Sequence, residues 1–186
     1  MKILLCVDLQ RDFFDLALRN EEAIRRKPKM IEKIKKRANE DYCIIFTKDT
    51  HDDNYLKTFE GKNLPIPHCI KGTEGWNIDP EIYTAAEGAN IQVVEKNTFG
   101  YVDLPFAIQA AYNKKFEDFN YLEEIEIIGL VSSICVAANA CLLRAHYPWL
   151  PITVDASCCA GLTKEDHDAA MLVMKCQQIN IIGEEH

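Results

Sequence analysis

The chain has 186 residues, 48% of them hydrophobic and 27% charged, with a formal net charge of -8 at pH 7. A chain of this length buries enough surface to fold as a single domain over residues 1–186 without staples, and its composition carries no signature of disorder or of a repeat array. The negative balance argues against a nucleic-acid partner, and no stretch approaches the ~20 apolar residues that a membrane span needs.

Residues 1–7 form a first apolar run, too short for a signal-peptide core and followed at once by Asp8, so a cytoplasmic location is expected, and residues 2–8 suit a first strand. The run reads as a strand that leads into Val7-Asp8-Leu9-Gln10-Arg11-Asp12-Phe13. Residues 29–38 carry apolar positions at helical spacing behind Pro28, which suits a helix start. The basic residues there (Arg25, Arg26, Lys27, Lys33, Lys35, Lys36, Arg37) alternate with apolar ones and read as a solvated helix face. Further strands are expected at 42–47, 91–96, 125–129, 152–155 and 179–182, several of them apolar on both faces, as in the interior of a parallel sheet. Helices are expected at 133–146, with Ser132 or Ser133 as N-cap, and at 164–178, capped by Thr163. The alternation predicts an α/β protein, a three-layer sandwich with right-handed crossovers and a ligand site beyond the carboxyl ends of its strands. Asp8, Asp49, Lys96 and the turn from Val131 to Cys135 all fall at or just past such ends.

The eight cysteines lie mostly within apolar segments and read as free thiols, most of them small buried hydrophobes. Cys135 stands apart, because strand, Gly129-containing turn and helix place it in a first helical turn. Unpaired N–H groups and the helix dipole there favour thiolate, and the amides of Cys135 and Val131 suit an oxyanion hole. Ser132 and Ser133 lack a Gly-x-Ser-x-Gly elbow and read as helix caps. Asp8 is placed to take a thiol proton and hand it to a leaving amine, although a strand-ending aspartate equally caps a turn. Lys96 suits holding such a carboxylate ionised, and equally reads as an exposed lysine closing a strand.

A second cluster follows the second strand. Asp49 and His51, then Glu60 in a loop, then His68 offer two nitrogens and two carboxylates, a donor set for Zn²⁺, with Fe²⁺ or Mn²⁺ as alternatives. Asp52 or Asp53 are candidate substitutes for a ligand, and Cys69 reads as packing.

Taken in order, Val7-Asp8-Leu9-Gln10-Arg11-Asp12-Phe13, Asp49-Thr50-His51, Pro67-His68-Cys69-Ile70-Lys71-Gly72-Thr73, Lys96-Asn97-Thr98-Phe99-Gly100 and Gly129-Leu130-Val131-Ser132-Ser133-Ile134-Cys135 resemble the isochorismatase-like cysteine hydrolases, especially their nicotinamidase branch. The resemblance spans nearly the whole chain. It implies a Rossmann-like α/β/α fold, a catalytic set of Asp8, Lys96 and Cys135, and a cis peptide before Val131 with an oxyanion hole from Val131 and Cys135. It further implies a divalent metal on Asp49, His51, Glu60 and His68, and a homo-oligomer, dimer or tetramer. The chain departs from the nicotinamidase pattern at Ser132-Ser133, where Thr-Asp is usual, and at Pro65-Ile66, where an aromatic residue is frequent. Phe13, Phe99 and Tyr101 are the candidates for a substrate-facing aromatic wall, and each equally suits core packing. The implied activity is hydrolysis of the C–N bond of a small amide, such as nicotinamide, through a thioester. The alternatives are hydrolysis of an N-carbamoyl or ureido compound or of an isochorismate-like vinyl ether, and a non-catalytic metal- or redox-responsive protein.

Overall fold

The computed structural model describes residues 1–40, 42–113 and 122–184. Strands β1 (Lys2–Val7), β2 (Tyr42–Asp49), β3 (Asn90–Lys96), β4 (Glu124–Leu130), β5 (Ile152–Ala160) and β6 (Asn180–Ile182) form one parallel sheet in the order β3-β2-β1-β4-β5-β6. Each expected strand is present, and β2 and β5 run past their apolar stretches to Asp49 and Ala160.

The sheet is covered on both faces because its central strands are apolar on both. In β1, Ile3, Leu5 and Val7 enter one core and Leu4 and Cys6 the other. Helices α1 (Glu21–Ala38) and α3 (Pro80–Ala85) close the second core through Met30, Ile34 and Ile82. Helices α4 (Leu104–Asn113), α5 (Ala137–His146) and α6 (Lys164–Cys176) close the first through Ile108, Leu143 and Met174. A short helix, α2 (Phe59–Asn63), lies in the excursion between β2 and α3. No helix among the described residues is long and apolar enough to cross a membrane.

Two expectations fail on α1. The helix starts at Glu21, where the Asn20 side chain accepts from the Ala23 amide and Glu21 and Glu22 face the positive helix end; Pro28 lies inside it. Its basic face is only partly solvated. Arg26 is buried and donates to the Ala156 carbonyl at 2.6 Å, Lys33 bridges Glu126 and Asp155 at 2.7 Å each, and Arg37 pairs with Glu126. Carboxylates on the sheet draw these cations inward, which a single helical period does not reveal. At α6 the expected Thr163 cap is present as a full capping box with Asp166.

The strand order places the topological switch between β1 and β4, since the chain winds outward from them in opposite directions. Their carboxyl ends therefore border a crevice. Gly129, opposite Val7 in the register, makes this junction feasible: its φ is +130°, and a Cβ there would lie 2.2 Å from the Val7 carbonyl oxygen. Gly129→Ala is expected to destabilise the fold by on the order of 3 kcal/mol, read as a lower urea midpoint at unchanged m-value.

Candidate active site

Asp8 follows β1 with a positive φ of 51°, Lys96 ends β3 directly opposite Asp49 of β2, and Cys135 follows β4. The crevice gathers all of them. Lys96 Nζ lies 2.6 Å from Asp8 Oδ2, 3.6 Å from Cys135 Sγ and 3.8 Å from Asp49 Oδ1. Lys96 is 2% exposed, so it is not the exposed strand-closing lysine that it suggested alone, and Asp8 is 0% exposed.

Thr47, not singled out from the sequence, fixes the carboxylate. Its hydroxyl donates to Asp8 Oδ1 at 2.6 Å and accepts from the Asp8 amide at 3.1 Å. Asp8 Oδ2 is thereby left toward Lys96, paired in charge but accepting no aligned hydrogen bond among the described residues.

The electrostatics differ from the sequence expectation of a ready thiolate. Burial, then the Asp8 charge, pushes the Cys135 thiol well above its ordinary value, and Lys96 opposes this only in part. Burial depresses the Lys96 ammonium, yet the charges of Asp8, Cys135 and Asp49 more than reverse it, so Lys96 stays protonated. Burial also lifts the Asp8 carboxyl, against the pull of Lys96. The resting site is a neutral thiol beside a fixed ammonium and a carboxylate of raised basicity.

The turn from Ser132 to Val136 is a wide π-type turn opening into α5, not the expected α-helical first turn, with the Val136 amide on the Val131 carbonyl at 3.2 Å. The peptide between Leu130 and Val131 is cis. Neither serine caps the helix. Ser132 Oγ meets His167 Nδ1 at 2.7 Å and Ser133 donates to Asp166 at 2.9 Å, because α6 packs against the turn and competes for both hydroxyls.

Asp49, His51, Glu60 and His68 form a compact cluster, with one donor atom from each all within 4.8 Å of one another. Asp49 Oδ2 lies 2.9 Å from His51 Nε2 and 3.3 Å from His68 Nε2, and Glu60 Oε1 lies 3.7 and 3.6 Å from the same nitrogens. His68 Nδ1 donates to the Ile66 carbonyl at 2.9 Å, which turns Nε2 toward the cluster. Burial, then the Asp49 charge, raises the Glu60 carboxyl. Two carboxylates crowding two imidazoles is a donor set that a divalent cation fits. Asp52 and Asp53 are exposed and lie outside the cluster, and Cys69 is buried outside it.

Two further residues shape this cluster. Buried Gln10 holds the Asp49 backbone from both sides, accepting from its amide at 2.7 Å and donating to its carbonyl at 2.8 Å. The Tyr55 ring stands 4.6 Å from that of His51 and 4.9 Å from that of His68. A polar Gln10 just past an apolar strand was the available signal; Tyr55 gave none. The cluster and Cys135 open onto one cleft of about 1510 Å³, and Phe13, Phe99 and Tyr101 all line it.

Comparison with known proteins matches the chain to one family. The model of the isochorismatase domain matches residues 2–185. The structure is similar to the pyrazinamidase/nicotinamidase of Streptococcus mutans (TM-score 0.80, 23% identity, covering 98% of this chain and 100% of that one). It is similar to the Pyrococcus horikoshii pyrazinamidase solved in complex with zinc (0.74, 26%, 98% and 99%) and to the N-carbamoylsarcosine amidase of Thermoplasma acidophilum (0.74, 20%, 100% and 98%). No curated protein matches the sequence significantly. With that domain matched across almost its whole length, the chain belongs to the isochorismatase family of hydrolases.

Proposed function

We propose that this hydrolase cleaves the C–N bond of a small amide through a thioester on Cys135, in the manner of a nicotinamidase. One observation carries the reading: Cys135 and Lys96, 3.6 Å apart, line a cleft, and the buried Asp8 carboxylate lies 2.6 Å from the same Lys96 Nζ. Asp8 takes the Cys135 proton while Lys96 balances the developing thiolate. Sulfur adds to the amide carbonyl, and the Val131 and Cys135 amides donate to the oxyanion. As the C–N bond breaks, Asp8 passes the proton to the leaving nitrogen, and ammonia departs from a primary amide. Water, deprotonated by Asp8, then adds to the thioester; the C–S bond breaks and the carboxylic acid and the thiol are restored.

Asp49, His51, Glu60 and His68 are the residues that would hold a divalent metal, with zinc the first expectation and Fe²⁺ or Mn²⁺ the alternatives. Bound there, it would supply positive charge that polarises a bound substrate atom. Phe13, Phe99 and Tyr101 offer faces to an aromatic acyl group, which favours nicotinamide over short aliphatic amides.

Ammonia release from nicotinamide, benzamide, acetamide and an N-carbamoyl amino acid, with zinc present, tests the reading. Turnover of the aromatic amides supports it, and turnover of the N-carbamoyl compound alone replaces the substrate class. For the metal, elemental analysis is expected to find one divalent ion per chain. His51→Ala is expected to weaken zinc binding by at least roughly 10-fold in titrations of the apoprotein. Unchanged affinity removes this cluster as the metal site.

A further inference from the structure

The turn that carries Cys135 is held from behind the cleft by two adjacent residues of α6. Ser132 is fully buried, and its hydroxyl meets the buried His167 ring at 2.7 Å; Ser133 donates to the Asp166 carboxylate at 2.9 Å. Asp166 is itself immobilised, since it accepts from the amides of Leu162 at 3.1 Å and Thr163 at 2.9 Å. Gly161 lets the corner close, because a Cβ there would lie 2.3 Å from Asp166 Oδ1 and 2.9 Å from His167 Cβ. Consecutive serines thus dock on consecutive residues of the first turn of α6.

His167 faces Arg26 and Glu22 of α1 and Asp166 and Asp168 of its own helix, and burial, then the Arg26 charge, holds it below the ordinary histidine value. The ring is neutral near pH 7, and in the tautomer that carries its proton on Nε2 the Ser132 hydroxyl donates to Nδ1. Among the described residues that hydroxyl has no other partner. Ser132 follows Val131 and sits three positions before Cys135, so any movement of Ser132 moves both amides that face the oxyanion.

We propose that His167 is a positioning residue for the hydrolytic turn: by holding Ser132 it fixes the Val131 and Cys135 amides and the Cys135 sulfur in register with each other. The inference rests on the amide-hydrolase reading above. His167 does not line the cleft, so its effect passes through the turn alone.

The test compares wild type with His167→Leu, Ser132→Ala, the double variant and His167→Asn. It measures kcat and KM on the best amide, Tm, and the iodoacetamide alkylation rate at Cys135 by peptide mass spectrometry. Each of the first two variants is expected to lose kcat by on the order of 10²-fold, the cost of a ~1 Å misplacement, with KM changed by less than about threefold. His167→Asn keeps an acceptor where Nδ1 stood and is expected to retain kcat within roughly tenfold. The double variant removes both buried partners together and is expected to recover Tm while kcat stays low. Recovery of kcat along with Tm, or single variants with unchanged kcat, overturns the proposal. Should wild type hydrolyse no amide, the hydrolase reading fails on its own, and alkylation decides the positioning role. A change of at least about tenfold in both single variants and in the double supports it, and an unchanged rate overturns it.

Discussion

Cys135→Ala is expected to lower kcat for amide hydrolysis by on the order of 10⁴-fold or more, equivalent to at least about 5 kcal/mol of lost transition-state stabilisation. The Cys135 sulfur lies 3.6 Å from Lys96 Nζ, and alanine leaves nothing there to form a thioester. The fold should survive, because the side chain removed is small and lies in the turn, costing about 1 kcal/mol of stability. Ligand binding should survive as well, since the rest of the cleft lining and the Asp49 cluster are untouched. Steady-state kinetics with an ammonia-coupled assay, beside calorimetric titration of the amide, gives the split between kcat and affinity. Full activity in this variant rejects the thioester mechanism.

Lys96→Met should hurt both stability and turnover. Asp8 and Lys96 are buried together, and each charge is tolerable only because the other is 2.6 Å away. Removing the ammonium leaves Asp8 without its neutralising charge, with Asp49 adding repulsion, a change that costs about 3–5 kcal/mol in other buried pairs. For a chain of this size that loss lowers Tm by roughly 10 °C. Asp8 then takes up a proton to escape the penalty and no longer accepts the one from Cys135, so kcat is expected to fall by at least ~10³-fold. Adding Asp8→Asn removes the stranded charge and should restore most of the lost Tm while kcat stays low. A single variant that keeps wild-type Tm and kcat would show that the ion pair is neither buried nor used.

How far the sequence reaches depends on the kind of information each feature needs. The type of the central strands was legible because they are apolar on both faces, as strands in the interior of a parallel sheet are. The Thr163 cap was legible because a capping box is local, closed within four residues. The start of α1 was misread for the opposite reason: Pro28 is a strong local signal, and the Asn20 cap overrode it.

By itself the sequence determined the order of the elements, the residue types at their carboxyl ends, and so the identity of Asp8, Asp49, His51, Glu60, His68, Lys96 and Cys135 as candidates. Only the tertiary structure decided their state. It buried Lys96 against Asp8, raised the Cys135 thiol where the helix end alone predicted a thiolate, and tied Ser132 and Ser133 to α6 instead of to the helix they precede. It also brought in Gln10, Thr47 and Tyr55, whose partners lie 39 positions away or face the chain across a loop. The physical reason is that desolvation and hydrogen-bond competition are set by neighbours from distant strands and helices. A periodicity or a motif records which side chain is present and carries no record of what will surround it.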